Sequence, residues 1–264
     1  MPKGTIEMKL AFITLSRQGV KVVSSLKLKF SQADAYIHES VKAGIECQRF
    51  SSVVELTKVI FHEYDGLVYV APCGAVVRAL AGVIASKKTD PAVLVLDVSA
   101  RHVISLLGGH EGGANELAIL VGNAVGAEPV ITTTTEASKT IIVGVGCKRG
   151  KDKDEIVSAI NSALAEACVS INDVRLIASV DIKSNEQGLL EAAQNLGVPI
   201  RFISSDEIRN TIFKFNESDF VKNKVNLPAV AEPAALLAGR RTQLIFNRKK
   251  LGGVTVAIAK ENCL

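Results

Sequence analysis

Aromatic residues are scarce in this 264-residue chain: tryptophan is absent, and all aromatic residues together make up 5% of the sequence. Proteins that bind single-stranded nucleic acid commonly stack the bases on exposed aromatic rings. The net charge of +4 is small and dispersed, without the basic stripe of a nucleic-acid-binding surface. The sequence therefore predicts no nucleic-acid partner, while its mild positive charge is compatible with an anionic small molecule.

Metal ligands and disulfide patterns are also lacking. The five cysteines are odd in number and none belongs to a C-x-x-C pair; they are Cys47, Cys73, Cys147, Cys168 and Cys263. Because this pattern is typical of neither a disulfide framework nor a structural zinc site, we expect a reducing, cytoplasmic location. The four histidines have no spacing typical of metal ligands, so we predict no metal site.

Long apolar runs are absent as well. No run approaches the ~18 residues of a membrane-spanning helix, and the start, M-P-K-G-T-I-E-M-K-L, lacks the apolar core of a secretory signal. We therefore expect a soluble protein without membrane contact. The length suits two domains, and an apolar content of 48% is ordinary for a packed enzyme.

Short apolar runs alternate with amphipathic segments, which is typical of parallel strands covered by helices on both faces. The predicted strands are residues 9–15, 66–71, 92–97, 129–133, 141–146, 174–179, 199–203, 242–246 and 254–259. The last two are expected to pair antiparallel across a basic turn at 247–253. The polar stretch 132–139 separates two such patterns. We predict an α/β fold of two three-layer α/β domains with mostly parallel sheets, at residues 9–138 and 139–264.

Three turns follow predicted strands, where α/β proteins open a ligand crevice at the carboxyl edge of the sheet. The first, at residues 71–78, reads A-P-C-G-A-V-V-R and enters a helix. Unpaired amides at Cys73 and Gly74, near Arg78, would suit an anion. Cys73 is also a candidate nucleophile, although no histidine is near it in the sequence. The alternative is a tight strand-to-helix connection.

The second turn surrounds His110 and Glu111 with four glycines, in S-L-L-G-G-H-E-G-G-A-N-E-L-A at residues 105–118. A helix that begins near Gly112 leaves its first amides unpaired and carries partial positive charge there. His110 is therefore predicted to contact a ligand or to move protons. Glu111 or Glu116 would orient it or act as a second acid–base group, or Glu116 only complements the helix dipole. Ligand contacts are predicted at Gly109, Gly112, Gly113, Ala114 and Asn115.

The third turn, G-V-G-C-K-R-G at residues 144–150, has neither the G-x-G-x-x-G spacing of dinucleotide sites nor the G-K-[ST] ending of a nucleoside triphosphate loop. Lys148 and Arg149, beside the backbone at Gly146, would suit a carboxylate or a phosphate. The alternative is a pair of solvated cations. Arg101, in D-V-S-A-R-H, is predicted to line the crevice of the first domain.

Taken together, these stretches resemble the CbiG family. The amino-terminal domain of that family resembles P-C-G-A-V-V-R-A-L-A-G, I-S-L-L-G-G-H-E-G-G-A-N-E-L-A and P-V-I-T-T. Its carboxyl-terminal domain is similar to V-G-V-G-C-K-R-G, I-A-S-V-D-I-K-S-N-E-Q-G-L-L-E-A-A and A-V-A-E-P-A-A-L-L-A-G. The resemblance runs from about residue 9 over nearly the whole chain. The family usually carries a further middle segment after P-V-I-T-T, so this chain is a compact member.

The resemblance implies a cobalt-precorrin-5A hydrolase of anaerobic cobalamin biosynthesis, which opens a δ-lactone and releases acetaldehyde to give cobalt-precorrin-5B. The cobalt belongs to the corrinoid substrate, and no cofactor is implied. For this chemistry we hypothesise that His110 is the general base. We also hypothesise that the amides of Gly112, Gly113 and Ala114 hold the oxyanion.

Two other functions are compatible with the sequence. A chain without the middle segment could bind a corrinoid intermediate without catalysis. The turn G-V-G-C-K-R-G could instead serve an enzyme that binds phosphate or a nucleotide. The sequence leaves open whether the chain forms a homodimer or makes transient contacts with other enzymes of the pathway.

Overall fold

The computed structural model describes residues 8–211 and 230–262. The chain forms two compact units that part between Thr133 and Thr134. We call residues 8–133 the first unit and the described residues from 134 onward the second unit. Four cysteines of these units are free thiols, and Cys263 lies outside the described residues.

The first unit is a sheet with helices on both faces. Its strands are β1 (Leu10–Thr14), β2 (Asp34–His38), β3 (Gln48–Phe50), β4 (Gly66–Val70), β5 (Ala92–Leu96), β6 (His102–Leu107) and β7 (Glu128–Val130). Its helices are α1 (Arg17–Lys29), α2 (Val53–Ile60), α3 (Cys73–Leu80) and α4 (Ala114–Val125). The strand order is β3-β2-β1-β4-β5-β6-β7. Strands β1, β4 and β5 are buried along their whole length, which explains their unbroken apolar runs.

Strands β6 and β7 run opposite to the other five strands of this sheet, and the change of direction falls between β5 and β6. Strand β6 pairs antiparallel with β5, so that Val103 lies opposite Leu96 and Leu107 lies opposite Val93. Strand β6 therefore starts at the carboxyl edge of β5 and ends at the amino edge. The loop that follows β6, with its paired glycines, lies at that amino edge. The expectation that all three turns lie at a carboxyl edge was wrong for this loop.

The second unit also has helices on both faces of its sheet. Its strands are β8 (Ile141–Cys147), β9 (Val174–Val180), β10 (Ile200–Ile203), β11 (Thr242–Leu251) and β12 (Val254–Glu261). Its described helices include α5 (Thr134–Ala137), α6 (Lys153–Glu166), α7 (Gln187–Leu196), α8 (Ser205–Asn210) and α9 (Ala231–Leu237). The strand order is β10-β9-β8-β12-β11. The predicted antiparallel pairing of β11 with β12 is confirmed, although the basic residues 247–250 belong to β11 rather than to a turn.

Each face of each sheet carries its own apolar core. In the first unit, residues of α1 and α4 pack on one face, and residues of α2 and α3 pack on the other. In the second unit, α6 and α7 cover one face, while α8 and α9 cover the opposite face. The prediction of two three-layer α/β domains is thereby confirmed. The first sheet is mostly parallel as expected, whereas the second is mixed, with two parallel and two antiparallel strand pairs. None of the helices in the described ranges is long and apolar enough to cross a membrane.

Candidate functional site

The glycines around His110 serve a tight turn that packs on its own chain. Gly108 and Gly113 have φ angles of +71° and +75°, in the left-handed region that favours glycine. A Cβ atom at Gly112 would lie 3.0 Å from the carbonyl oxygen of Gly108 and 3.2 Å from the amide nitrogen of Ala92. The glycines therefore allow neighbouring backbone, rather than a ligand, to lie close to the turn.

The amides at the start of α4 are paired within the loop. The N–H groups of Gly112 and Ala114 both donate to the carbonyl of Gly108, over 3.1 and 3.0 Å. The N–H of Gly113 donates to the carbonyl of His110 over 3.3 Å. The hypothesis that these three amides form an oxyanion hole was therefore wrong, because each of them already has an acceptor.

The side chain of Asn115 holds the loop in place. Its Oδ1 accepts a hydrogen bond of 2.9 Å from the Ser105 hydroxyl, and its Nδ2 donates one of 2.9 Å to Thr133 Oγ1. Asn115 is 8% exposed, and Ala114 is fully buried. A Cβ atom at Gly109 would lie 2.6 Å from the methyl group of Thr133. The structure thus gives Asn115, Ala114 and Gly109 packing roles in place of the predicted ligand contacts.

His110 and Glu111 lie at the exposed tip of the loop. Glu111 Oε1 lies 3.2 Å from the ammonium nitrogen of Lys87. The Glu111 N–H, the Lys87 ammonium and the nearby His110 lower the pKa of the Glu111 carboxyl. Glu111 therefore supplies a negative charge next to the imidazole at neutral pH. Glu116 is exposed in the first turn of α4, where a carboxylate is favourable to the helix dipole.

The other predicted contacts of the first unit lie at the opposite edge of the sheet. Cys73 and Gly74 are exposed at the start of α3, directly after β4. Arg78 folds back on this turn and donates from Nη1 to the carbonyl of Gly74 over 3.0 Å. Arg101 precedes β6 at the same edge, with its Nε 3.5 Å from Asp97. The structure thus separates these four predicted residues from His110.

The carboxyl edge between β1 and β4 is where the strand order reverses direction, the usual ligand crevice of such sheets. The hydroxyl of Thr14, at the end of β1, donates to the carbonyl of Val70 at the end of β4 over 3.0 Å. Ser16 caps α1 by accepting from the N–H of Gly19. The sequence interpretation missed this side of the crevice because it did not predict α1.

In the second unit, Lys148 and Arg149 follow the carboxyl end of β8 and are exposed. The N–H of Lys148 donates to the carbonyl of Gly253 over 3.0 Å, so this amide is already paired. Gly146 is buried, and a Cβ atom there would lie 3.2 Å from Val230. Gly146 therefore serves the packing of α9, whereas the two cations remain the predicted ligand contacts of this turn.

The sequence interpretation missed a carboxylate that joins this turn to the loop after β9. Glu186 accepts from the N–H of Gly150 and from the ammonium of Lys183, each over 3.0 Å. The side chains of Lys183 and Glu186 are each only 15% exposed. Burial alone would raise the pKa of Glu186, but these two donors outweigh it and lower the pKa below its ordinary value. The signal in the sequence was the K-S-N-E spacing at residues 183–186, in the connection between β9 and α7.

Two further groups lie in the same unit. Burial raises the pKa of the Cys147 thiol, which favours the neutral form over a reactive thiolate. Glu232, in the first turn of α9, is 3% exposed, and its Oε1 has no hydrogen-bond partner among the described residues. Within residues 8–211 and 230–262, no three His, Cys, Asp or Glu side chains are grouped so as to hold a metal ion.

Two family models match the chain. "Cobalamin synthesis G N-terminal" matches residues 55–136, and "Cobalamin synthesis G C-terminus" matches residues 141–259. The chain belongs to the cobalamin synthesis G family. Both the loop around His110 and the turn with Lys148 and Arg149 lie within the matched ranges of this family member.

The chain is also similar in sequence to curated proteins. This cobalamin synthesis G protein is 28% identical to "Cobalt-precorrin-5A hydrolase" of Priestia megaterium over 352 aligned positions, which cover 94% of each chain. It is 24% identical to the protein of that name from Salmonella typhimurium, over 75% of this chain and 82% of the relative. "Protein CobE" of a Sinorhizobium species is 34% identical over 48% of this chain and 83% of its own length.

The Priestia alignment is longer than the present chain, so that relative has residues without a counterpart here. This difference agrees with a compact member of the family. The chain is a hydrolase of cobalamin biosynthesis.

Proposed function

We propose that this chain hydrolyses the δ-lactone of cobalt-precorrin-5A and releases acetaldehyde, giving cobalt-precorrin-5B in anaerobic cobalamin biosynthesis. The observation that supports this proposal most strongly is the similarity to a named cobalt-precorrin-5A hydrolase over 94% of both chains. The substrate is a flat macrocycle edged with carboxylates, and it carries its own cobalt.

His110 is the proposed general base. Its imidazole sits on a loop whose backbone is held by internal hydrogen bonds and by Asn115, so the ring is presented to solvent from a defined support. In the proposed step, the imidazole takes a proton from water while the water oxygen attacks the lactone carbonyl carbon. The ring C–O bond of the lactone then breaks, and the leaving oxygen takes the proton back from the imidazolium to become a free hydroxyl group. The new carboxylic acid gives its own proton to solvent and becomes a carboxylate.

Loss of acetaldehyde follows from the freed hydroxyl. A base removes its proton, the carbon–oxygen double bond of the aldehyde forms, and the bond to the macrocycle breaks. The electron pair of that bond moves into the conjugated ring, which then takes up a proton. Positioned acid–base groups typically accelerate such proton transfers by about 10²–10⁴-fold.

Anaerobic incubation of the purified protein with cobalt-precorrin-5A, with trapping of volatile aldehyde, tests the proposal. We expect stoichiometric acetaldehyde from the wild-type protein. His110→Ala should slow its release by at least about tenfold, because the base is lost. His62→Ala replaces another exposed histidine and is the matched control. Absence of aldehyde with the wild-type protein would refute the activity, and full turnover by His110→Ala would remove this residue from the mechanism.

A further inference from the structure

The second unit gathers four cations at one edge of its sheet. Strands β8 and β9 are parallel neighbours, so the loops after their carboxyl ends lie side by side. The first loop carries Lys148, Arg149 and Lys151, and the second carries Lys183. We call these four residues the cationic edge.

One contact and two shared charge effects relate the four side chains to one another. A Cβ atom at Gly253 would lie 3.1 Å from Lys148 Cδ and 3.2 Å from Lys151 Cε, so both aliphatic stems run past the same point. The charges of Lys151 and Lys183 both act on the Cys147 thiol. Arg149 and Lys183 both act on the carboxylate of Glu186.

Carboxylates of the protein neutralise two of these cations. Lys151 pairs with Glu155 over 2.6 Å, and Lys183 pairs with Glu186 over 3.0 Å. Lys148 and Arg149 have no ion pair within the part of the chain that the structure describes. Two carboxylates face four cations, so this edge carries an excess of positive charge, and a bound anion would relieve the remaining repulsion.

The backbone of this edge is not arranged for a phosphate. Phosphate loops cradle their ligand with unpaired backbone N–H groups. Here the N–H of Lys148 is bound to Gly253, and the N–H of Gly150 is bound to Glu186. The exposed side chains of Lys148 and Arg149 are left to provide the recognition. Arginine and lysine side chains of this kind suit carboxylates spaced around a larger molecule.

We infer that the cationic edge binds ring carboxylates of the macrocyclic substrate, with Lys148 and Arg149 making the contacts. This inference rests on the proposed function, since it takes the carboxylates from the precorrin ring. Glu186 accepts from Gly150 of the first loop and from Lys183 of its own loop, which ties the two loops together before the ligand arrives. The first unit's His110 is then not required for carboxylate binding at this edge.

Fluorescence titration of the full-length protein with porphyrins of graded charge tests the inference without turnover. The probes are an octacarboxylate porphyrin (uroporphyrin), a tetracarboxylate porphyrin (coproporphyrin) and a cationic porphyrin. We expect affinity to fall in that order and to weaken with added salt. The double variant Lys148→Gln/Arg149→Gln should bind uroporphyrin at least about tenfold more weakly, the effect of losing a charge-assisted hydrogen bond.

A matched double variant removes the same charge elsewhere. Lys21 and Lys29 are exposed lysines of α1, and Lys21→Gln/Lys29→Gln should bind uroporphyrin as the wild-type protein does. Equal losses in both double variants would mean that only net charge matters, and would overturn the inference. So would unchanged binding by Lys148→Gln/Arg149→Gln, or displacement of uroporphyrin by stoichiometric inorganic phosphate or ATP. Circular dichroism checks that both variants fold.

The outcomes separate this inference from the proposed function. If the protein releases no acetaldehyde but Lys148→Gln/Arg149→Gln weakens porphyrin binding, the carboxylate site stands and the reaction fails. If acetaldehyde is released and the double variant has an unchanged KM and porphyrin affinity, the reaction stands and the site fails. When both hold, the double variant should raise KM for cobalt-precorrin-5A with little change in kcat.

Discussion

Asn115 illustrates how a single side chain sets the position of the loop around His110. Its carboxamide lies between the hydroxyls of Ser105 and Thr133 and makes one hydrogen bond to each. The asparagine could be recognised in the sequence as part of a glycine-rich motif. Its partner Thr133 could not, because that residue lies 18 positions away and comes close only through the path of β7.

Replacing Asn115 by alanine should lower the free energy of unfolding by about 1–3 kcal/mol, since the buried hydroxyl of Ser105 and the half-buried hydroxyl of Thr133 lose their partner. Urea denaturation measures this loss. A double-mutant cycle with Ser105→Ala should show coupling, because the two side chains share a hydrogen bond. Asn185→Ala, at an exposed asparagine, should stay within about 0.5 kcal/mol of wild type. Strict additivity in the cycle would contradict the bridging role.

Glu186 should make stability depend on pH in the acid range. The N–H of Gly150 and the ammonium of Lys183 lower its pKa in the folded protein, against the effect of burial. The ionised form therefore stabilises the fold at pH values above the ordinary carboxyl pKa of about 4.3. This contribution is lost as the pH falls through the lowered, folded-state pKa.

Glu186→Gln keeps an acceptor for Gly150 but removes the charge. The stability difference from wild type should be full above about pH 5 and should shrink toward zero in stronger acid. Urea midpoints measured from pH 2 to pH 7 give the comparison, with the exposed Glu63→Gln as the control. A difference that stays constant over this range would show that the charge of Glu186 does not contribute.

At the scale of elements, the buried strands were predictable and their directions were not. Strands β1, β4 and β5 are buried on both faces, so their apolar runs identify them. An apolar run looks alike in either direction, so it does not reveal which way a strand runs. Strand β6 is only partly buried and its range was not among those of the predicted strands, so its antiparallel direction was missed as well. Because this reversal was not predicted, the loop around His110 was expected at the carboxyl edge of the sheet, whereas it lies at the amino edge.

Other elements were missed because their patterns are mixed. Strands β2 and β3 lie at one side of the sheet and carry polar residues, as in D-A-Y-I-H and Q-R-F. Helix α1 contains several valines together with a glycine, which weakens the helical pattern. The hydrogen bonds made by the amides of Gly112, Gly113 and Ala114 could not be predicted either, because they depend on the path of the backbone rather than on residue type.

The docking of α9 on β8 depends on Gly144. A Cβ atom at this position would lie 1.9 Å from the carbonyl oxygen of Ala231, so Gly144→Ala must displace the helix. We expect a loss of about 1–3 kcal/mol or more in the free energy of unfolding, the usual effect of overpacking. Thermal or urea denaturation measures it. Gly82→Ala is the control, because nothing lies within 4 Å of a Cβ atom there, and equal losses would contradict this account.

At the scale of the whole molecule, the two units keep separate cores. Both apolar clusters of the first unit are made only from residues up to 127, together with partly buried neighbours from the same unit. Both clusters of the second unit begin at Ile141 or later. Each unit therefore has the buried apolar surface of an independent folding domain.

A fragment of residues 1–133 should consequently fold by itself. We expect a cooperative thermal transition by circular dichroism and dispersed amide signals in a heteronuclear NMR spectrum. A fragment of residues 1–107 ends before α4 and leaves uncovered the part of the sheet on which α4 packs. This fragment serves as the comparison. A non-cooperative transition of the longer fragment would show that its core needs the rest of the chain.

The order of strands in the second sheet has a consequence for biosynthesis on the ribosome. Strand β12, the last in sequence, lies between β8 and β11, and its pairing covers one whole side of β8. While translation proceeds, that side of β8 stays open until residue 261 has left the exit tunnel. During this interval an unpaired strand edge is available to wrong partners, so chaperone dependence should concentrate in this half of the nascent chain.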